Sequence, residues 1–188
     1  MTKTLLDVVH ADHRNMAVLL ELLRSDVDAL RGGDDQALDI ERLTDVVDYF
    51  GHYPDRVHHP REETMFAVFR EHHEASPELG NALRRVHEQH ETLPKLTVAV
   101  SEMLDAAAHG SLVLRDELVT QLDHFIESQL EHLDLEEGLI FPELREKMNA
   151  QDWLKVEALG PQGRDPIFGA EVEAEYRNLY RRLEAFLS

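Results

Sequence analysis

Cysteine is absent from the 188 residues, which removes disulfides, thiolate metal sites, iron–sulfur clusters and cysteine nucleophiles together. Any metal held by this chain must therefore rest on His, Asp and Glu. Basic residues are scarce as well, with 19 Lys and Arg against 38 Asp and Glu and a formal net charge of -19. Such a field repels phosphate backbones and anionic lipid headgroups, so neither nucleic acid nor a membrane is an expected partner. Long hydrophobic runs are missing too. Nothing approaches a membrane span, and Met1 to His10 lacks the apolar region of a signal peptide, so the expected location is cytoplasmic.

What is present suffices for one substantial core. Hydrophobic residues make up 43% of the chain and charged residues 30%, without a composition shift that would divide it into independent halves. Apolar residues recur at steps of three and four over five stretches, which predicts an all-α protein. The first stretch runs from Leu5 to about Leu30 and is closed by an Arg31-to-Gln36 turn. The second runs from about Asp39 to Phe50. Pro54 and Pro60 then predict a kink or short break before periodicity resumes from Glu62 to about His73. Ser76 and Pro77 read as cap and first residue of a long helix that passes Pro94 and ends near His109-Gly110. The next helix, from Leu112 to about Phe141, is followed by a bend at Pro142. A short helix at Asp152–Leu159, a Gly- and Pro-rich stretch from Gly160 to Gly169, and a final helix from about Ala170 to Leu187 complete the chain.

One pattern stands out from this scaffold. His58-His59-Pro60-Arg61-Glu62-Glu63 is echoed by His132-Leu133-Asp134-Leu135-Glu136-Glu137, each setting a histidine four residues before the first of two glutamates. On a helix that spacing puts imidazole and carboxylate on one face. His13 points to the core stripe of the first helix, three before Met16, and His90 to that of the long helix, four after Val86. His124, Ser128, His132 and Glu136 follow one another in steps of four. Together His13, His58, Glu62, His90, His132 and Glu136 amount to four imidazoles and two carboxylates from four helices. One octahedral ion would be crowded by them. Two ions bridged by Glu62 and Glu136, with water, hydroxide or oxo between them, use the set better, and iron, manganese and zinc all accept such ligands. Phe50, Met65, Phe66, Phe125 and Leu133 would line the site and leave room for a small molecule, with Tyr53 and His124 placed to orient bound oxygen species.

These residues, with Asp12-His13, Tyr53-Pro54-Asp55-Arg56-Val57 ahead of His58, Glu88-Gln89-His90 and Ile140-Phe141-Pro142, make the chain similar to the hemerythrin-like family, the HHE cation-binding domain. The resemblance covers about residues 4 to 148. It implies an up-down four-helix bundle over residues 1–148 with a non-haem di-iron centre, the metal pattern mapping onto His13, His58 with Glu62, His90, and His132 with Glu136. Residues 149–188 would be a helical extension packed on the bundle or at a homodimer interface. Oxygen-carrying members have two histidines four apart on the third helix, whereas Pro94 follows His90 by four. That leaves one imidazole fewer, to be replaced by an open position or by His59, His87 or Glu91. His59 with Glu63 repeats the spacing of His58 with Glu62; the earlier pair is favoured because it matches the offsets of His132 and Glu136. The resemblance implies a protein that binds, senses or handles dioxygen, peroxide, nitric oxide or iron. Catalase-like or peroxidase-like turnover at the same centre, and a structural zinc or manganese module, are the alternatives.

Overall fold

The computed structural model describes residues 4–32, 39–111 and 113–187. Every regular element among them is helical: α1 (Leu5–Arg31), α2 (Ile40–His52), α3 (His59–His72), α4 (Pro77–Ala108), α5 (Arg115–Leu135), α6 (Phe141–Lys147), α7 (Ala150–Leu159) and α8 (Arg177–Leu187). The Arg31-to-Gln36 turn beyond Gly32, and Leu112, lie outside the described residues. Among those described, no helix is long and apolar enough to cross a membrane.

Local chemistry explains the helix starts. Thr4 accepts from the Asp7 amide while the Asp7 carboxylate accepts from the Thr4 amide, a reciprocal cap at α1, and Ser76 accepts from the Leu79 amide at α4 with Pro77 in the first turn. The α5 helix starts at Arg115, with Leu114 extended and exposed at the cap position. The last helix starts late. Residues 160–173 form an ordered loop, followed by a single 3₁₀ turn at Ala174–Tyr176.

The interruption expected between Tyr53 and Pro60 takes the form of a π turn, and Pro60 falls in the first turn of α3. That π turn, Pro54–His58, carries α2 into α3, and a second, Glu136–Ile140, carries α5 into α6. The His58 amide donates to the Tyr53 carbonyl five residues back, and the Phe141 amide likewise donates to that of Glu136. A proline sits just after each turn, Pro60 and Pro142. Its ring would clash with the carbonyl four residues before it in a regular α-helix, and widening the helix by one residue relieves that clash without breaking the rod.

Two apolar clusters form the core. The larger gathers Met16, Leu20, Phe50, Tyr53, Phe125 and Leu133 with Leu179 and Leu183 from α8. The smaller gathers Val9, Met65, Phe66, Val86, Ile140 and Phe141 with Val156 from α7. Along each long helix the candidate ligands fall between the two: His13 between Val9 and Met16, Glu62 between Tyr53 and Met65, His90 after Val86. The polar layer is thus closed above and below by hydrocarbon.

The C-terminal segment is packed tightly on the rest. Tyr49 donates to Asp165 at 2.9 Å, and Arg61 donates to the Gly163 carbonyl at 3.1 Å. A Cβ on Gly163 would fall 2.7 Å from a Val57 methyl, so only glycine lets the loop lie this close to the first π turn. At the other end α7 is docked by Asp152, which is buried and receives His72 at 2.6 Å and His73 at 2.9 Å. Burial pushes the Asp152 carboxyl up, but the His73, Asn149 backbone and His72 hydrogen bonds outweigh it and hold it at about 2. A depressed carboxylate stabilises the fold above its ordinary value of 3.8, and that contribution is lost as pH falls toward about 2. Asp152→Ala is expected to cost about 1–2 kcal/mol near neutral pH, from the lost cap and the two unpartnered imidazoles. Urea melts of the two proteins should converge as pH falls through this range; a gap that stays constant would show that the carboxylate charge is not what docks α7.

Candidate metal centre

Each of α1, α3, α4 and α5, together with the two π turns, sends side chains into the polar layer. Two groups of potential ligand atoms form there, His13 with His58 and Glu62, and His59 with Glu62, His90 and His132. Glu62 belongs to both. In the first group His13 Nε2 lies 3.0 Å from His58 Nε2 and 3.1 Å from Glu62 Oε1, and His58 Nε2 is 3.0 Å from the same oxygen. In the second, His90 Nε2 is 3.5 Å from Glu62 Oε2, while the His59 ring stacks on that of His90 at 4.7 Å and meets that of His132 edge-on at 5.1 Å. Glu136 faces both groups, with Oε2 3.4 Å from His13 and 3.3 Å from His132 and Oε1 3.7 Å from His90.

His58 and His59 are therefore not alternatives. The π turn ends at the bond between them, and their rings, 5.7 Å apart and inclined at 65°, turn to opposite groups. His59 brings a fifth imidazole to the layer, where α4 offers only His90 to the two groups. Its sequence partner Glu63 does not accompany it: Glu63 turns outward, accepting from His90 at 2.9 Å and lying 3.1 Å from His87. His87 and Glu91 are more than half exposed and lie outside both groups.

Behind every inward imidazole stands an oxygen at Nδ1. His13 meets Glu137 at 2.9 Å, His58 meets Asp12 at 3.1 Å, His59 meets Asp55 at 3.3 Å, His90 meets Glu63, and His132 meets Gln89 at 3.4 Å. An acceptor at Nδ1 fixes the tautomer that leaves the Nε2 lone pair facing inward, as metal-ligating histidines require. Tyr53 belongs to this outer layer. Its hydroxyl donates to Asp12 at 2.9 Å, so it buttresses His58 and does not face the space between the ligands. His124 is exposed and takes no part. Steps of four advance the face by about 40° each, so twelve residues from Glu136 it has rotated by about 120°.

Asp12, Asp55, Gln89 and Glu137 could not be assigned to this outer layer from spacing, because each pairs with a histidine on another helix or across a π turn. His10, which reads from sequence as a surface group, is 2.7 Å from Glu137 and shares it with His13. His72 and His73, also surface groups by sequence, clamp Asp152 instead. Gln129 carried no signal beyond its place, three residues before His132.

The electrostatics are those of a site waiting for positive charge. His58, Glu62, His132 and Glu136 have no exposed surface. Glu62 Oε2, both oxygens of Glu136, and the Nε2 atoms of His59, His90 and His132 have no hydrogen-bond partner. Leaving that many buried polar atoms orphaned costs several kcal/mol in hydrocarbon, a cost that a bound cation removes. Burial and the neighbouring Glu62 charge push Glu136 well above the ordinary carboxylate range, while burial holds His59 down at about 4. Burial would lower His58, but Glu62 and Asp12 overcome it and raise it to about 9. The residues fit a bound cation: five imidazoles and two carboxylates converge, and the outer nitrogens of His13, His58, His90 and His132 are hydrogen-bonded.

Residues 4–150 match the family model described as the hemerythrin HHE cation-binding domain. The chain belongs to this family. Comparison with curated proteins and with solved structures gives no match. As an HHE cation-binding domain, the protein is a helical, metal-binding one, and the two His and Glu groups are where its described residues offer ligands to a cation.

Proposed function

We propose that this HHE domain holds a non-haem di-iron centre and that its ligand is a small oxygen species, dioxygen or peroxide. The observation that carries the reading is the position of Glu62 in both ligand groups, with Glu136 facing both from the opposite side. One carboxylate reaching two imidazole clusters is the arrangement that bridges two ions. Imidazole and carboxylate as the only donors suit iron, manganese and zinc alike, and of these iron carries the redox chemistry that oxygen species call for.

Iron, when bound, supplies the redox chemistry toward oxygen and peroxide. The chain's own residues place five imidazoles, contribute two carboxylates, and exclude bulk water with Phe66 and Phe141 on one side and Phe50 and Phe125 on the other. Binding, sensing and turnover all begin from this enclosure. Elemental analysis with an optical spectrum, on protein purified without added metal or chelator, tests the reading. Roughly two irons per chain with ferric-oxo absorption supports it; a single zinc, or no metal, overturns it.

A further inference from the structure

Gln129 is a buried polar side chain that belongs to neither group of ligands. It has no exposed surface, and neither its amide nitrogen nor its amide oxygen has a hydrogen-bond partner. A primary amide buried and unpaired on both atoms is costly, and apolar side chains of similar volume would fill the same space without that cost. The neighbouring polar residues have their partners: Gln89 receives His132, Thr97 bonds to the Leu93 carbonyl, and Asp12 is used three times over. Gln129 also has a defined place. At 100° per residue it lies within about 60° of His132 and about 20° of Glu136 on the α5 surface, one turn before His132. Phe125 and Ile126 of the larger apolar cluster follow on its far side. Helix spacing thus sets it on the stripe shared by Phe125, His132 and Glu136, between the larger apolar cluster and the ligand layer.

We infer that Gln129 is the hydrogen-bonding seat for the small molecule that enters this centre. The inference rests on the di-iron reading above. A carboxamide offers an N–H donor and a carbonyl acceptor side by side. Dioxygen and nitric oxide can only accept, and use half of it. Hydroperoxide accepts through one oxygen and donates its proton from the other, so it satisfies both orphaned atoms. Sites built to hydrogen-bond a ligand discriminate strongly against analogues that leave their polar groups unpaired. Gln129 acts here as a positioning residue, with no proton or electron passing through it.

Gln129→Met tests this with azide as the probe, an anion that accepts a hydrogen bond at its free end. Wild type and variant are loaded with iron, their metal content is measured, and azide is titrated by optical absorption. The expected result is equal iron content, a metal-free variant that melts no lower than wild type because an unpaired amide has been removed, and azide affinity weakened about tenfold. Nitric oxide affinity should fall by much less, since a neutral diatomic draws less from a single donor. Equal azide affinity at equal iron content would overturn the proposal and leave Gln129 a core residue; so would loss of iron from the variant, which would make it part of the metal shell. Absence of iron from the wild type would instead be failure of the di-iron reading itself, and the inference would fall with it. Gln129→Leu provides a second apolar variant should the methionine form fold poorly.

Discussion

Glu62→Gln is expected to leave a folded protein that retains neither metal ion. Glutamine keeps the volume and the helix propensity of glutamate, so α3 and its packing on α7 should survive. What it removes is the charge at the point where the two ligand groups meet. A neutral amide bridges poorly, and the loss falls on both ions at once because His13, His58 and His90 all lie within 3.5 Å of that carboxylate. Changing an outer-layer partner typically costs 10–100-fold in metal affinity, and a shared ligand should cost at least about 100-fold for each ion. Iron content per chain is the readout. Glu63→Gln is the control, since Glu63 supports His90 from outside and belongs to neither group. Its effect should stay within about tenfold to 100-fold and leave the His13 and His58 half occupied. Equal metal loss in the two variants would show that Glu62 does not bridge.

Stripping the metal should lower the melting temperature by roughly 8–16 °C. A ligand present at a thousand times its dissociation constant stabilises the native state by about 4 kcal/mol, and each kcal/mol moves a domain of this length by roughly 2–4 °C. The sign follows from the charge distribution. Burial first, and then repulsion from the Glu62 carboxylate, drive Glu136 up in the metal-free protein, and the orphaned imidazole nitrogens are a further cost. The metal binds native chain in which these atoms already converge, and unfolded chain in which they do not. Scanning calorimetry before and after chelation measures the shift. A stripped protein melting at the same temperature would mean that the cluster is not preorganised for a cation.

Much of this was legible in the residues. Steps of three and four in the apolar pattern place α1, α2 and α4 to within a few residues, and Ser76-Pro77 marks a helix start that the cap geometry matches. His13, His58, Glu62, His90, His132 and Glu136 were legible because each falls on an inward stripe and because the His and Glu spacing repeats. Three things were hidden. The π turns were, because a hydrogen bond to the fifth residue differs from one to the fourth by a single step in the chain, and prolines at 54, 60 and 142 read equally as breaks. That His59 joins His58 instead of replacing it was hidden for the same reason, since a regular helix would turn it some 100° from His58. The Nδ1 partners Asp12, Asp55, Gln89 and Glu137 were hidden because four of the five pairs join residues on different helices, where spacing carries no information.

The two π turns also set which kinds of change in the chain this site can absorb. Substitution at Asp55, Arg56 or Val57 alters one contact and leaves the count of residues between Tyr53 and Glu62 intact. A π turn spreads over five residues about the same sweep that an α-helix makes in four, so deleting one residue from Pro54–His58 would return the rod to ordinary α geometry, leave Glu62, Met65 and Phe66 near their present faces, and bring back the clash at Pro60. Loss of one residue from Glu136–Ile140 would do the same at Pro142, with Phe141 and Leu144 kept on the smaller core. These two five-residue segments are therefore where related chains can differ in length by one residue with the rest of each rod still in register.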